Sequence, residues 1–370
     1  MNIAPFDLAR LPLGAAPAYS AVCKDMSNLG ASTRRCLAGL VQMRSVNNVA
    51  ANFVAASTLV QEAVSKGCKI VFLPECFAFI GARAGEAQKI AEPLDGPLMQ
   101  QYKQLAQEHN VWLSLGGFHE SCEGASKIYN THVVIDETGG IQATYRKLHL
   151  FDAPMVGLVE SKQALAGDLG VVACDSPAGR LGVTICYDMR FPELYQKLTF
   201  VHGAQVLLMP SAFAMKTGEA HWETMLRARA IECQCYVVAA AQAGLHNSDG
   251  NQRRSWGHAL AIDPWGKIVA SFDGERTGVE CFEIDLDHVD RVRENMPMHA
   301  HRRYDVYGGP PHQKDPRRGA AAEGAEAAEL EQGTSSTLLP QVLSRAPLLR
   351  AAVPALAALG LAAVVRARAT

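Results

Sequence analysis

The chain has 370 residues, with 35 Lys and Arg set against 37 Asp and Glu for a formal net charge of −2 at pH 7. With 48% hydrophobic and 19% charged residues it can bury a large core, which excludes a largely disordered interaction protein. Its lysines and arginines are scattered, not gathered into a stripe, so no nucleic-acid partner is indicated.

Residues 1–34 lack periodicity and a continuous apolar core, and read as a flexible extension. Arg10, Lys24, Arg34 and Arg35 would suit a mitochondrial presequence, while Asp7 and Asp25 oppose one. A regular alternation then begins. Leu37 to Met43 is strand-like; Asn48 to Lys66 has helical spacing and ends at Gly67. Lys69 to Leu73 predicts a strand, Pro97 to Asn110 a helix, and Val111 to Phe118 a strand. Ile128 to Asp136 and Ile141 to Lys147 flank Gly139-Gly140 as a hairpin, and Val171 to Ser176 with Arg180 to Cys186 flank Pro177-Ala178-Gly179 likewise. Leu194 to His202 is helical, Val206 to Pro210 strand, His221 to Glu232 helical and Tyr236 to Gln242 strand. A last hairpin, Gly257 to Ile262 and Lys267 to Phe272, turns at Asp263-Pro264-Trp265-Gly266. Crossovers mixed with hairpins predict an α/β domain over residues 35–312 with mixed sheets covered by helices.

Residues 313–337 are rich in Ala, Glu, Gly and Arg and read as a solvated linker to an apolar tail, residues 338–370. The tail's uncharged stretch, Ala351 to Val365, lies between Arg350 and Arg366. As a helix it reaches only about 22 Å, short of the roughly 30 Å hydrocarbon core, although flanking arginines that snorkel would extend it. A membrane contact through this tail is therefore one reading, and an amphipathic or unstructured tail the other. The ten cysteines are irregularly spaced with no CxxC pair, so no metal site is expected. Cys68 and Cys174 lie in apolar runs, where cysteine serves as a small hydrophobe in a reducing compartment. A cytoplasmic location is expected, with mitochondrial or tail-anchored placement as alternatives.

Three apolar strands stop at reactive residues. Lys69 to Leu73 delivers Pro74-Glu75, Ile141 to Tyr145 delivers Arg146-Lys147, and Leu181 to Ile185 delivers Cys186. Strand ends lie at the rim of an α/β sheet, where ligands commonly bind. Cys186 stands at a strand-to-turn junction before Pro192-Glu193-Leu194, a place where a helix N-terminus and cations can lower a thiol's pKa.

The segments Phe72-Leu73-Pro74-Glu75, Tyr145-Arg146-Lys147-Leu148-His149-Leu150-Phe151, and Cys186-Tyr187-Asp188-Met189-Arg190-Phe191-Pro192-Glu193-Leu194 resemble the three signatures of the nitrilase superfamily. All three are in order, and the likeness runs from about Leu37 to Tyr307. The resemblance implies a four-layer α-β-β-α sandwich and a catalytic Glu75, Lys147 and Cys186, with Glu160 positioning the lysine or the substrate. In that reading Glu75 takes the thiol proton, and Lys147 with the backbone N–H of Tyr187 holds the oxyanion. It further implies a small-molecule amide substrate, no cofactor, and a homodimer or larger homo-oligomer.

Gly116-Gly117-Phe118-His119-Glu120 and Gln234 to Gln242 resemble the branch that hydrolyses deaminated glutathione to 2-oxoglutarate and cysteinylglycine. A neighbouring branch releases ammonia from 2-oxoglutaramate, and a non-catalytic scaffold of the same fold is the remaining alternative. Both substrates carry carboxylates, for which Arg190 or Arg229 is the expected clamp.

Overall fold

The computed structural model describes residues 34–154 and 157–308, all within the first of the two units into which the chain divides, Met1–Gln313. Apart from Arg34, the N-terminal extension, the linker and the apolar tail lie outside the described residues. Among the described residues no helix is long and apolar enough to cross a membrane.

Two mixed sheets form the centre. The larger orders β13 (Arg254–Trp256), β12 (Ala241–Leu245), β1 (Arg35–Met43), β2 (Ile70–Leu73), β3 (Trp112–Ser121), β4 (Ile128–Ile135) and β5 (Ile141–Arg146), with β16 (Gly278–Asp285) antiparallel to β1. The smaller orders β15 (Ile268–Ser271), β14 (Leu260–Ile262), β11 (Tyr236–Ala239), β10 (Val206–Leu208), β9 (Leu181–Val183) and β8 (Val172–Cys174). Two short strands, β6 (Asp152–Ala153) and β7 (Leu158–Val159), pair by themselves.

Strand alternation divides the side chains between two cores. Val71 and Leu73 join Leu113, Leu115, Val133 and Ile135 under helices α1 (Val49–Ser65) and α3 (Pro97–His109), which contribute Ala56, Val60, Ala63, Met99 and Tyr102. Ile70, Phe72, Val134, Ala143 and Tyr145 point the other way, into the core shared with Leu181, Val183 and Val206 of the smaller sheet. That core continues to Tyr195 and Leu198 of α4 (Pro192–Phe200) and Leu226 and Ala230 of α5 (Met215–Cys233). The layers are thus α-β-β-α, as the sequence implied. Each fully buried Leu or Val contributes about 1.5–3 kcal/mol, so the apolar alternation sets which face of each strand looks inward.

Polar bonds tie the two sheets together. His132 on β4 sits between Ser114 Oγ, 2.7 Å from Nε2, and the Thr184 carbonyl, 2.9 Å from Nδ1. A neutral ring donating from Nδ1 and accepting at Nε2 satisfies both. Tyr145 of β5 donates to Asp188 at 2.7 Å, just beyond β9.

Four features depart from the sequence reading. Tyr236 to Gln242 is not one strand: Ala239 pairs with Leu260 in the smaller sheet, whereas Ala241 pairs with Gln42 in the larger, so the chain changes sheets at Ala240. Helix α5 starts at Met215, ahead of His221, through Gly218, where a Cβ would come within 2.2 Å of Trp256; the glycine reads as a breaker but permits close packing. Strand β16 and helix α6 (Leu286–Asn295) follow without an apolar run to announce them, Asp285 capping the helix by accepting from Asp287 and His288 amides. Short helices α2 (Glu86–Ile90) and α7 (Tyr304–Tyr307) were also not anticipated.

Candidate active site

The three reactive strand ends converge. Glu75 follows β2 and is buried at 4% exposure, Lys147 follows β5 at 2%, and Cys186 opens a 3-10 turn, Cys186–Arg190, after β9. Lys147 Nζ lies 3.0 Å from Glu75 Oε1 and 2.9 Å from Glu160 Oε2. Asn130 Nδ2 donates to Glu75 Oε1 at 2.9 Å, and the Ala212 amide donates to Glu75 Oε2 at 2.8 Å. Glu160 accepts from the Phe151 amide at 2.7 Å, which fixes the carboxylate against the lysine. The Cys186 thiol is within hydrogen-bonding reach of Glu75.

Parity along β5 explains the aim. Ala143 and Tyr145 face the inter-sheet core, so Lys147 points to the same side while Arg146 points outward. Arg146 instead makes a two-pronged pair with Glu120, Nε to Oε2 at 2.9 Å and Nη2 to Oε1 at 2.7 Å. On β3 a register shift between Leu115 and Phe118 spans Gly116-Gly117. This reverses the alternation, turning Glu120 to the outer face and His119 toward the site. A Cβ on Gly116 would lie 2.2 Å from Pro210, and one on Gly117 2.7 Å from Asn130 Oδ1, so both glycines admit the neighbours that frame the site.

The Cys186 backbone is held in an uncommon conformation. Cys186 has φ +47°, a left-handed geometry that costs an L-residue about 1–2 kcal/mol. Its amide donates to Pro210 O at 2.9 Å. Asp188, fully buried, secures the turn by accepting from the Ile185 amide at 3.0 Å, Tyr145 Oη at 2.7 Å and the His149 amide at 3.1 Å. The turn carrying the thiol and the segment carrying the lysine are therefore braced by one carboxylate. Tyr187 lies in the first turn of the 3-10 segment, where backbone N–H groups have no carbonyl partner within the helix.

Burial by itself would raise the Glu75 carboxyl, but the Lys147 charge, the Ala212 amide and the Lys147 hydrogen bond outweigh it and hold it down to about 2. Burial would discharge Lys147, yet Glu160 and Glu75 keep its pKa well above the ordinary lysine value. Cys186 moves well above the usual thiol range, first through burial and then through the Glu75 charge, which the Lys147 cation only partly offsets. Burial and the Glu75 charge thus act against the helix terminus and cations that the sequence reading had favouring a thiolate. These directions favour a carboxylate on Glu75 beside a protonated Cys186 thiol, the pairing in which the base can take the proton as sulfur attacks.

These groups open onto a cavity of about 470 Å³ lined by Glu75, Lys147, Glu160 and Cys186 together with Cys76, His119, Asn130, Ala212 and Arg253. Arg229 does not line it: it is buried, donates twice to Met189 O at 2.9 and 3.0 Å, and pairs with Glu232 at 2.8 Å. Arg190 does not line it either, its guanidinium lying 3.3 Å from His221 Nδ1. The expected carboxylate clamp is thus found at neither position, because one arginine is consumed by local structure and the other is turned to its own neighbours. Sequence reasoning missed Asn130, which precedes no recognisable signal, and the Ala212 amide, which no side chain announces. Among the described residues no group of His, Cys, Asp or Glu is arranged to hold a metal ion.

The sequence model of the family described as Carbon-nitrogen hydrolase matches residues 37–294, and the chain belongs to that family, within the nitrilase superfamily. It is a hydrolase acting on carbon–nitrogen bonds. The chain is 48% identical over 280 residues to the nitrilase and fragile histidine triad fusion protein NitFhit of Caenorhabditis elegans, covering 75% of this chain and 62% of that longer protein. It is 46% identical to the deaminated glutathione amidase of Dictyostelium discoideum, covering 73% of this chain and 94% of the relative. Among solved structures it resembles the C. elegans NitFhit protein, with TM-score 0.69, 48% identity, and coverage of 75% of this chain and 67% of that one. It also resembles Saccharomyces cerevisiae Nit3, a member of branch 10 of the nitrilase superfamily, with TM-score 0.63, 31% identity, and coverage of 71% and 95%.

Proposed function

We propose that the protein hydrolyses the amide bond of deaminated glutathione to 2-oxoglutarate and cysteinylglycine, a metabolite-repair reaction, through a thioester on Cys186. The observation that carries the reading is the cluster of Glu75, Lys147 and Cys186 at the wall of one cavity, in a chain 46% identical to a deaminated glutathione amidase over nearly all of that relative's length.

Glu75 takes the thiol proton as Cys186 Sγ bonds to the scissile carbonyl carbon. The carbonyl oxygen becomes an oxyanion, held by Lys147 and the Tyr187 amide; one such donor is worth roughly 3–4 kcal/mol. As the oxyanion draws on the Lys147 charge, that charge stabilises the Glu75 carboxylate less, and Glu75 accepts its proton more readily. Glu75 then returns the proton to the leaving nitrogen, the C–N bond breaks, and cysteinylglycine departs with its amine. Water, deprotonated by Glu75, attacks the thioester; the thiolate leaves, regains the proton, and 2-oxoglutarate is released. Glu160 keeps Lys147 protonated and aimed. The chemistry uses no cofactor.

The test is 2-oxoglutarate release by the wild-type protein from deaminated glutathione and, in parallel, from 2-oxoglutaramate. Strong preference for the former is expected. Preference for the latter assigns the protein to the ammonia-releasing branch, and turnover of neither overturns the substrate while leaving the hydrolase class intact. A homodimer or larger homo-oligomer is part of the proposal, as is a cytoplasmic location. Sedimentation of the full chain tests the first, where a monomer at working concentration would refute it. Fractionation of cells tests the second, where recovery with mitochondria or membranes would refute it.

A further inference from the structure

Arg253 is an underused cation of the cavity wall, half-buried where the wall's Lys162 is exposed. Its guanidinium makes one hydrogen bond, Nη2 to Ala212 O at 3.1 Å, and the five N–H donors of an arginine leave four for other partners. Among the described residues it has no salt bridge, although the other arginine of the cavity wall, Arg83, pairs with Asp249 at 2.8 Å. The anchor matters, because Ala212 is also the residue whose amide holds Glu75. Arg253 is therefore fixed beside the reacting carboxylate yet unpaired, half-buried and lining the same cavity as Cys186.

Its neighbour on that wall, His119, has Nδ1 buried with no hydrogen-bond partner among the described residues. Burial foremost holds the imidazole down to about 4, against the Glu75 charge, which raises it, and with a smaller lowering from Arg253. A neutral ring beside a fixed cation offers one hydrogen bond and one positive charge without adding a second charge. Glu75 and Glu160 carry two negative charges against Lys147's one at the reacting centre, so an anionic group bound there draws on the further cations of the cavity wall, Arg83, Lys162 and Arg253.

Resting on the substrate reading above, we propose that Arg253 is a specificity-determining residue that pairs with the carboxylate of the substrate's 2-oxo-acid half, while His119 donates a hydrogen bond to the adjacent ketone oxygen. A 2-oxo acid presents a carboxylate next to a ketone, and the two residues match that pair in charge and hydrogen-bonding type. The reach of guanidinium to carboxylate is charge-assisted and directional, which favours Arg over Lys at the position.

The experiment compares wild type, Arg253→Gln and Arg253→Lys in two measurements. The first is kcat and KM for deaminated glutathione. The second is the rate at which neutral iodoacetamide inactivates the protein through Cys186, with and without 2-oxoglutarate as protecting ligand. Arg253→Gln is expected to raise KM about 10- to 100-fold, with a much smaller change in kcat, and to weaken protection by 2-oxoglutarate by a similar factor; Arg253→Lys should fall between. Unchanged KM and unchanged protection overturn the inference. A parallel fall in kcat and in the unprotected iodoacetamide rate also overturns it, since Arg253 would then be a strut for Ala212 and Glu75. If the wild type fails to hydrolyse deaminated glutathione but 2-oxoglutarate still protects in an Arg253-dependent way, the substrate reading falls and the carboxylate site stands. Loss of both turnover and protection in the wild type removes both.

Discussion

Arg146 and Lys147 are adjacent in sequence and both pair with buried glutamates, but on opposite faces of the larger sheet. The outer pair is saturated: Glu120 receives two N–H groups from Arg146 and the Thr131 hydroxyl at 2.6 Å. The inner cluster is deliberately unequal, with one lysine shared between Glu75 and Glu160 beside a neutral thiol. A balanced ion pair has nowhere to send its charge and serves the fold. A lysine held by two carboxylates can turn part of its charge to a new anion, which is what an oxyanion needs.

The inner cluster should show the largest effects on rate. Glu75→Gln keeps the shape but removes the base, and kcat should fall about 10²- to 10⁴-fold, with thermal stability close to wild type; a loss below tenfold would remove Glu75 from the chemistry. Lys147→Met should lower kcat about 10²- to 10³-fold, read by steady-state kinetics on the same substrate. On the outer face the sign of the comparison reverses. Arg146→Ala leaves the Glu120 carboxylate buried and unpaired, so denaturant unfolding should report a loss of about 3–5 kcal/mol with far less change in kcat per folded molecule. Equal effects of the two substitutions on kcat would erase the distinction between the faces.

The effect spread most gradually is in pH. His132 bridges the sheets as a neutral ring and burial holds it down to about 4, below the ordinary 6.5. As pH falls below about 6.5 the unfolded chain takes up a proton that the folded chain refuses until about 4. His132 therefore contributes stability above that window, lost at about 1.4 kcal/mol per pH unit within it. Urea unfolding of wild type and His132→Gln between pH 7 and 4 should show a shallower slope for the variant, and identical slopes would exclude the histidine.

The layers and the converging strand ends were legible because they rest on local pattern: apolar runs of strand length ending in Glu75, Lys147 and Cys186. What escaped were features set by long-range contact. The sheet change at Ala240 lies inside a continuous apolar run, where alternation carries no information about which sheet each residue joins. Asn130 reaches Glu75 across 55 positions of sequence, and Cys76 looks like any thiol after a strand although it lines the cavity. The arginine misreading has the same origin. Arg229 sits beside apparently functional residues in sequence, and only the fold shows its donors spent on Met189 O.

Two thiols share the cavity, Cys76 and Cys186, and burial pushes both upward, Cys76 to about 12. Only Cys186 lies within hydrogen-bonding reach of Glu75 and opens the 3-10 turn that carries the Tyr187 amide. The most direct test is turnover of deaminated glutathione by Cys186→Ala and Cys76→Ala, each checked for native secondary structure by circular dichroism. The account predicts no 2-oxoglutarate release from Cys186→Ala and substantial release from Cys76→Ala. Turnover that survives in folded Cys186→Ala would contradict it.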